Sequence, residues 1–156
     1  DTAWNRALAI VAEAEDLSRA RLEGQDLIEA IGDVRAKLQS LSAQGIRLAL
    51  ATTDTRALTV HTLEKLGIAE LFETMVCADD GIPLKPAPDM ALEIGRRLGL
   101  SPGEGMMVGD SIADMEMARR AGYGHVIGVT SGAAPGDALA LHADLVVPDI
   151  HAIEVV

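Results

Sequence analysis

Two aspartates four residues apart, Asp110 and Asp114, are the residues of this sequence best placed to act together chemically. The short apolar run before Asp110 ends in glycine and predicts a buried strand, and helical spacing follows it. Asp110 would then stand where a strand ends and Asp114 in the first helical turn, so that both carboxylates face one crevice. Such a pair, with no thiol or imidazole nearby, suits a hard cation such as Mg²⁺. The alternative is helix capping, the commoner use of aspartates at a helix start.

Thr52 and Lys85 are the next candidates. If the strands are parallel, Thr52 at a strand end and Lys85 in a loop lie at the same edge of the sheet as Asp110 and Asp114. Thr52 ends an apolar strand, and Lys85 lies in a loop stiffened by three prolines. A hydroxyl, an ammonium group and a cation together would bind a phosphate. Taken singly, a threonine at a strand end is more often a turn residue, and a lone lysine is more often solvated.

The elements that must position these side chains alternate between strands and helices. Apolar runs predict strands and helical spacing predicts helices, with glycines closing the helices. The predicted strands cover about residues 46–51, 74–78, 106–109, 125–129 and 144–147, and the predicted helices about 33–44, 58–66, 90–98 and 112–118, with a short helix after the Gly- and Ser-rich loop 130–136. This order predicts an α/β fold with a doubly wound parallel sheet.

The N-terminal stretch is predicted to be helical over residues 2 to 22, because Trp4, Leu8 and Val11 share one stripe. It could serve as core, lid or interface. We therefore divide the chain into a helical segment, residues 1–31, and an α/β core, residues 32–156.

Composition excludes several classes of partner. The 156 residues carry a formal net charge of −11 and only 2% aromatic side chains, which disfavours binding to nucleic acid and to anionic membranes. No apolar run is long enough to span a bilayer, and the basic start of a signal peptide is absent. With a single cysteine, Cys77, the expected compartment is the cytoplasm.

Three segments together resemble motifs of the haloacid dehalogenase-like (HAD) superfamily, in its phosphoglycolate phosphatase-like branch. Residues 48–52 (LALAT) look like the second family motif, residues 85–89 (KPAPD) like the third, and residues 109–114 (GDSIAD) like the fourth. The resemblance covers about residues 33 to 150, and the combination is far more specific than a single glycine-rich motif.

The resemblance implies a Mg²⁺-dependent phosphatase that acts on a small phosphorylated metabolite through an aspartyl-phosphate intermediate. Thr52 would hold the transferring phosphoryl group, and Lys85 would stabilise the charge of phosphate and nucleophile. Asp110 would bind Mg²⁺ directly and Asp114 would support the metal shell. Thr53 stands where many relatives have asparagine, and would change the contacts to the substrate.

The first family motif, Asp-x-Asp on the central first strand, is absent from this sequence. The nucleophile is therefore unassigned, and the central strand is expected to be missing. Its place would be filled by an upstream segment, a partner chain or a rearranged N-terminus. Asp1 and Thr2 could follow directly after the lost motif, or residues 1–31 could end a helical cap. Two functions are therefore expected as alternatives. One is a phosphatase domain that is inactive in this sequence because the nucleophile is absent, and the other is a non-catalytic regulatory module that binds phosphate and metal.

Several other polar residues are predicted to be structural. The histidines have no ligand spacing, and Cys77 lies on an apolar strand. Ser111 reads as a helix cap, and the pair Asp79-Asp80 before Gly81 as a turn.

Overall fold

Parallel strands alternate with helices in a computed structural model, which describes residues 9–12, 18–19, 29–30 and 32–154. The strands are β1 (Ala9–Ala12), β2 (Ser18–Arg19), β3 (Glu29–Ala30), β4 (Arg47–Ala51), β5 (Thr74–Val76), β6 (Gly105–Gly109), β7 (His125–Val129) and β8 (Leu145–Val147). The helices are α1 (Val34–Ala43), α2 (Arg56–Lys65), α3 (Asp89–Leu98), α4 (Ile112–Ala121) and α5 (Gly136–Leu139). Among the described residues, no helix combines the length and apolar character needed to cross a membrane.

Six strands form one parallel sheet in the order β5-β4-β1-β6-β7-β8, and β2 and β3 pair antiparallel in a separate ribbon. After β1 the chain adds β4 and β5 on one side and then returns to add β6, β7 and β8 on the other side, so the strand order reverses at β1. In open sheets of this kind, ligands bind beyond the carboxyl ends of the strands at such a switch point. The predicted doubly wound parallel sheet is confirmed.

The central strand β1 corrects two of our predictions. Ala9–Ala12 lies between β4 and β6, where we expected the central strand to be missing and its place to be filled by an upstream segment, a partner chain or a rearranged N-terminus. The predicted helix over residues 2 to 22 is wrong at Ala9–Ala12 and at Ser18–Arg19, and its remaining residues lie outside the described ones. Backbone groups of two neighbouring strands need partners in the middle of a sheet, and this requirement overrides the helical spacing of the side chains.

The helices of the core begin and end close to where the sequence predicts. Asp33 caps α1 by accepting a hydrogen bond from the Ala36 N–H, 3.0 Å. The helix α3 ends at Gly99, whose φ of +66° is the left-handed conformation that favours glycine. These local signals lie outside the core, so packing does not obscure them.

The sheet buries aliphatic side chains on both faces. In β4, Leu48 and Leu50 face one core cluster together with residues of α1 and α2, whereas Ala49 and Ala51 face a second cluster with residues of α3 and α4. This alternation follows from the two-residue period of a strand. With helices on both faces, the carboxyl ends of the strands form one of the few edges where polar side chains can gather.

Candidate functional site

Thr52 and Asp110 lie level with each other on opposite sides of β1. Ala9 pairs with Arg47 of β4 and with Gly105 of β6, and Thr52 and Asp110 each lie five residues further along their strands. Two strand spacings put their backbones about 9 to 10 Å apart. Both side chains are buried, with 3% of each residue exposed.

The Thr52 side chain keeps an unused donor. Its Oγ1 accepts a hydrogen bond from the Asp54 N–H at 3.1 Å, which fixes the turn after β4. Within the described part of the chain, the Thr52 hydroxyl proton has no acceptor. A buried donor without a partner costs free energy, so this hydroxyl is suited to an incoming oxygen atom. The next residue, Thr53, is exposed at the same edge of the sheet.

Lys85 forms a buried ion pair with Asp114. Lys85 Nζ lies 2.6 Å from Asp114 Oδ1, and the exposed fractions of the two side chains are 5% and 0%. Lys85 comes from the loop after β5, which Arg120 of α4 contacts through the Pro86 carbonyl at 3.0 Å. The lysine charge therefore lies below the surface at the carboxyl end of the sheet. The alternative stated above, that Lys85 is a solvated surface lysine, does not fit this burial.

Asp114 also caps its own helix. Its Oδ2 accepts hydrogen bonds from the Ser111 N–H at 3.1 Å and from the Ser111 hydroxyl at 2.7 Å, while the Asp114 N–H donates to Ser111 Oγ at 3.2 Å. Gly109 makes room for this arrangement, because a Cβ there would lie 2.6 Å from the Asp114 Cβ. Both carboxylate oxygens are therefore engaged. Ser111 is the helix cap that the sequence predicts, and Asp114 acts on Lys85.

Asp110 is the carboxylate that retains capacity for a cation. Its Oδ2 accepts the Ala133 N–H at 2.8 Å, and in the described part of the chain Oδ1 has no hydrogen-bond donor. A buried carboxylate oxygen without a donor fits Mg²⁺, which prefers such ligands. In residues 9–12, 18–19, 29–30 and 32–154, no group of three or more His, Cys, Asp or Glu side chains is placed to hold a metal ion. Asp110 would thus supply one ligand of a partial shell.

Cys77 and the acidic turn after β5, Asp79-Asp80, have structural roles. Arg56 at the start of α2 forms an ion pair with Asp80 at 2.6 Å, and Asp79 accepts the Arg56 N–H at 2.8 Å. The hydrogen bond with Asp80 raises the pKa of the Arg56 guanidinium. Burial raises the pKa of the Cys77 thiol, so it stays protonated at neutral pH. Both features are structural, as predicted.

Two contributions to the site escaped the sequence analysis. One is β1, which lies between Thr52 and Asp110; a run of four apolar residues, Ala9–Ala12, was the available signal. The sequence continues with Glu13, Ala14 and Glu15, which lie outside the described residues. The other is the loop after β7, which contacts Asp110 and which we had treated only as a connection.

A family model described as haloacid dehalogenase-like hydrolase matches residues 9–129. The chain belongs to this family. The match begins at β1 rather than at α1, so the haloacid dehalogenase-like region starts earlier than residue 32, where we had placed the start of the core.

Curated relatives share 35% of aligned residues with the chain. They include a plasmid-encoded phosphoglycolate phosphatase of Cupriavidus necator, aligned over 77% of this chain and 52% of the relative. The phosphoglycolate phosphatase of Escherichia coli K12 aligns over 82% of this chain and 48% of the relative. The chain thus spans about half the length of these phosphoglycolate phosphatases.

Solved structures support the same fold. A predicted phosphoglycolate phosphatase of Haemophilus somnus superposes with a TM-score of 0.73 at 28% identity, covering 80% of this chain and 56% of that one. A HAD-superfamily hydrolase of Geobacter sulfurreducens superposes with a TM-score of 0.69 over 92% of this chain and 93% of that one. At 15% identity, the second comparison concerns the fold alone.

Proposed function

We propose that the carboxyl end of the sheet binds Mg²⁺ and the phosphoryl group of a small phosphomonoester, as the core of a phosphatase. The observation that carries this proposal is the buried Lys85–Asp114 pair at the carboxyl end of the sheet, where Thr52 and Asp110 also lie. Thr52 and Asp110 each keep unused hydrogen-bonding capacity. A buried hydroxyl donor and a buried carboxylate oxygen without partners cost free energy, which a bound phosphoryl group and a bound cation would offset.

Each residue has a distinct role in this proposal. Lys85 supplies a fixed positive charge for the phosphoryl oxygens, and Thr52 donates its hydroxyl hydrogen to one of them. Thr53 contacts the remainder of the phosphate. Asp114 orients Lys85, and Asp110 offers Oδ1 to the cation. Magnesium, when bound, would neutralise further phosphoryl charge.

The substrate class and the setting follow from the same chemistry. The relatives named phosphoglycolate phosphatase favour a small phosphorylated metabolite as the substrate. The formal net charge of −11 argues against a nucleic acid or an anionic membrane as a partner, and we propose a cytoplasmic location.

Hydrolysis through an aspartyl-phosphate intermediate needs an attacking carboxylate. Among the described residues, Asp114 is engaged with Lys85, and Asp110 is assigned to the cation. No Asp-x-Asp occurs in the sequence, and the residues after β1 are Glu13, Ala14 and Glu15. A glutamate carboxylate reaches about one bond further, and a misplacement of about 1 Å can cost about 100-fold in rate. We therefore expect turnover near background, which keeps the non-catalytic binding module as the second candidate.

Metal binding tests the first half of the proposal. Titration calorimetry with Mg²⁺ should give weak binding to the native chain, and Asp110→Asn should remove it because Oδ1 loses its charge. Asp137→Asn is the matched control, since Asp137 is exposed on α5. Equal affinities of the native chain and Asp110→Asn would refute the metal assignment.

Restoration of an Asp-x-Asp sequence tests the catalytic half. The double substitution Glu13→Asp/Glu15→Asp places this motif directly after Ala12, and hydrolysis of p-nitrophenyl phosphate and phosphoglycolate would be measured with Mg²⁺. Turnover that rises above the native background and disappears with Lys85→Ala would support a phosphatase core. Phosphate binding without any gain in turnover would favour the regulatory module.

A further inference from the structure

The loop between β7 and α5 makes close contact with Asp110. The Ala133 N–H donates to Asp110 Oδ2 at 2.8 Å, and the Ala134 N–H donates to the Asp110 carbonyl oxygen at 3.0 Å. Two successive backbone amides therefore hold both the side chain and the main chain of one residue. Hydrogen bonds that backbone N–H groups donate to a carboxylate are among the stronger hydrogen bonds in proteins.

Gly132 allows this approach. A Cβ at position 132 would lie 1.8 Å from Asp110 Oδ2 and 2.5 Å from the Asp110 Cβ, far inside any contact that real Cβ atoms make. Gly132 is not among the glycines with positive φ, so its backbone conformation would accept another residue. Glycine is required here by proximity to Asp110.

The two oxygens of the Asp110 carboxylate are consequently distinguished. Oδ2 is held by the Ala133 amide, and in the described residues Oδ1 has no donor. A carboxylate can rotate about its χ2 bond unless something fixes it. Hydrogen bonds to one oxygen orient the other toward a ligand, as the outer partners of metal ligands generally do.

We propose that Gly132 and the amides of Ala133 and Ala134 are the device that positions Asp110 Oδ1 for the cation. This inference rests on the proposed function, because it assigns the cation to that oxygen. The loop residues do not touch the cation themselves and act through Asp110. Their contribution is to keep a buried carboxylate in one orientation before any ligand arrives.

Mg²⁺ affinity gives the first test. Gly132→Ala forces either the loop or the carboxylate to move, and we expect the affinity measured by titration calorimetry to fall about 10- to 100-fold. Gly103→Ala is the matched control, because a Cβ there meets nothing within 4 Å and Gly103 is not among the positive-φ glycines. In an Asp110→Asn background, Gly132→Ala should have no further effect, because both changes act on one ligand. Equal affinities of Gly132→Ala and Gly103→Ala would overturn the inference.

Unfolding without metal gives a second test that is independent of the proposed function. Gly132→Ala should lower the Tm of the metal-free chain, and the loss should shrink in an Asp110→Gly background, which removes the three atoms that a Cβ at position 132 would approach most closely. A loss of equal size in both backgrounds would overturn the contact. Where Gly132→Ala does not fold, the Ala133 amide proton resonance replaces it: an upfield shift in Asp110→Asn supports the bond, and an unchanged resonance overturns it.

The two tests separate the inference from the proposed function. If the native chain binds no Mg²⁺ while the metal-free tests show the coupling of Gly132 with Asp110, then the metal assignment has failed and with it the positioning role. If Mg²⁺ binds through Asp110 but Gly132→Ala binds it as tightly as the native chain does, only the positioning role has failed.

Discussion

The two ends of the parallel sheet treat their charged side chains differently. At the amino end, Arg47 donates to Glu73 at 2.7 Å and to the Leu98 carbonyl at 2.6 Å, and 34% of its side chain is exposed. At the carboxyl end, the Lys85–Asp114 pair is almost fully buried.

The difference lies in what is left unsatisfied. The pKa of Arg47 is raised and that of Glu73 lowered because each is hydrogen-bonded to the other, so this pair completes itself. At the carboxyl end, the described partners leave the Thr52 hydroxyl proton and Asp110 Oδ1 unused. Buried groups with remaining capacity mark a binding site better than the number of ion pairs does.

The largest expected effect comes from breaking the buried Lys85–Asp114 pair, and breaking the Arg47–Glu73 pair is the comparison. Lys85→Met leaves Asp114 buried without its counter-ion, and should lower the free energy of unfolding by about 3 to 5 kcal/mol. Arg47→Met breaks a partly exposed pair and should cost at most about 1 kcal/mol. Urea unfolding measures both losses of stability.

Vanadate binding gives a second comparison of the two ends. It should disappear with Lys85→Ala and persist with Arg47→Ala. The reverse result would place the anion site at the amino end of the sheet.

A second prediction tests the strand that separates Thr52 from Asp110. Proline at Val11 removes an N–H in the central strand β1, which is paired on both sides. We expect Val11→Pro to cost at least about 2 kcal/mol of unfolding free energy. Leu145→Pro is the control, because β8 is an edge strand and tolerates proline better. If the two variants lose the same stability, β1 does not lie at the centre of the sheet.

This strand also shows where sequence reasoning reached its limit. The strand ends at Thr52 and Asp110 could be predicted because β6, and β4 apart from Arg47, are apolar runs closed by polar residues. Ala9–Ala12 is equally apolar, but Trp4, Leu8 and Val11 share a helical stripe, and local spacing favoured the helix. Only the pairing with β4 and β6, a non-local term, decides between these alternatives.

The partners of the site residues were harder to predict than their positions. The sequence placed Asp114 beside Asp110 for the metal, because residues at this spacing share a face of a helix. It carried no sign that the Lys85 ammonium would lie 2.6 Å from Asp114, or that Gly132 would lie against Asp110. Such contacts join segments distant in the chain, and no periodic pattern encodes them.

A third prediction concerns the hydroxyl at the carboxyl end. Thr52→Val removes a donor to the bound phosphate, and should weaken phosphate binding about 2- to 10-fold, the equivalent of one neutral hydrogen bond. Thr52→Ser should retain most of the affinity. Thr59→Val is the control, because the buried Thr59 hydroxyl already donates to the Thr55 carbonyl at 2.9 Å. Isothermal titration with phosphate distinguishes them, and equal weakening by Thr52→Val and Thr59→Val would exclude Thr52 as a phosphate ligand.

The smallest effect is expected from a partly exposed cluster of three charged residues beside the start of β5, Glu93, Arg96 and Arg97. Arg97 contacts Thr74 and, together with Arg96, forms ion pairs with Glu93. The hydrogen bonds from Arg96 and then Arg97 lower the pKa of Glu93 from 4.5 to about 2. Because the folded pKa lies below the unfolded one, the stabilisation is fully present above pH 4.5 and is lost as the pH falls toward 2.

Glu93→Gln should therefore lower Tm slightly at pH 7, and the difference from the native chain should shrink steadily between pH 4.5 and 2. High salt should reduce it as well, since exposed charges are screened. Glu116→Gln, which removes a single 3.4 Å contact to Arg120, is the control and should change Tm less. A pH-independent loss in Glu93→Gln would mean that packing of the side chain, rather than its charge, supports this end of the sheet.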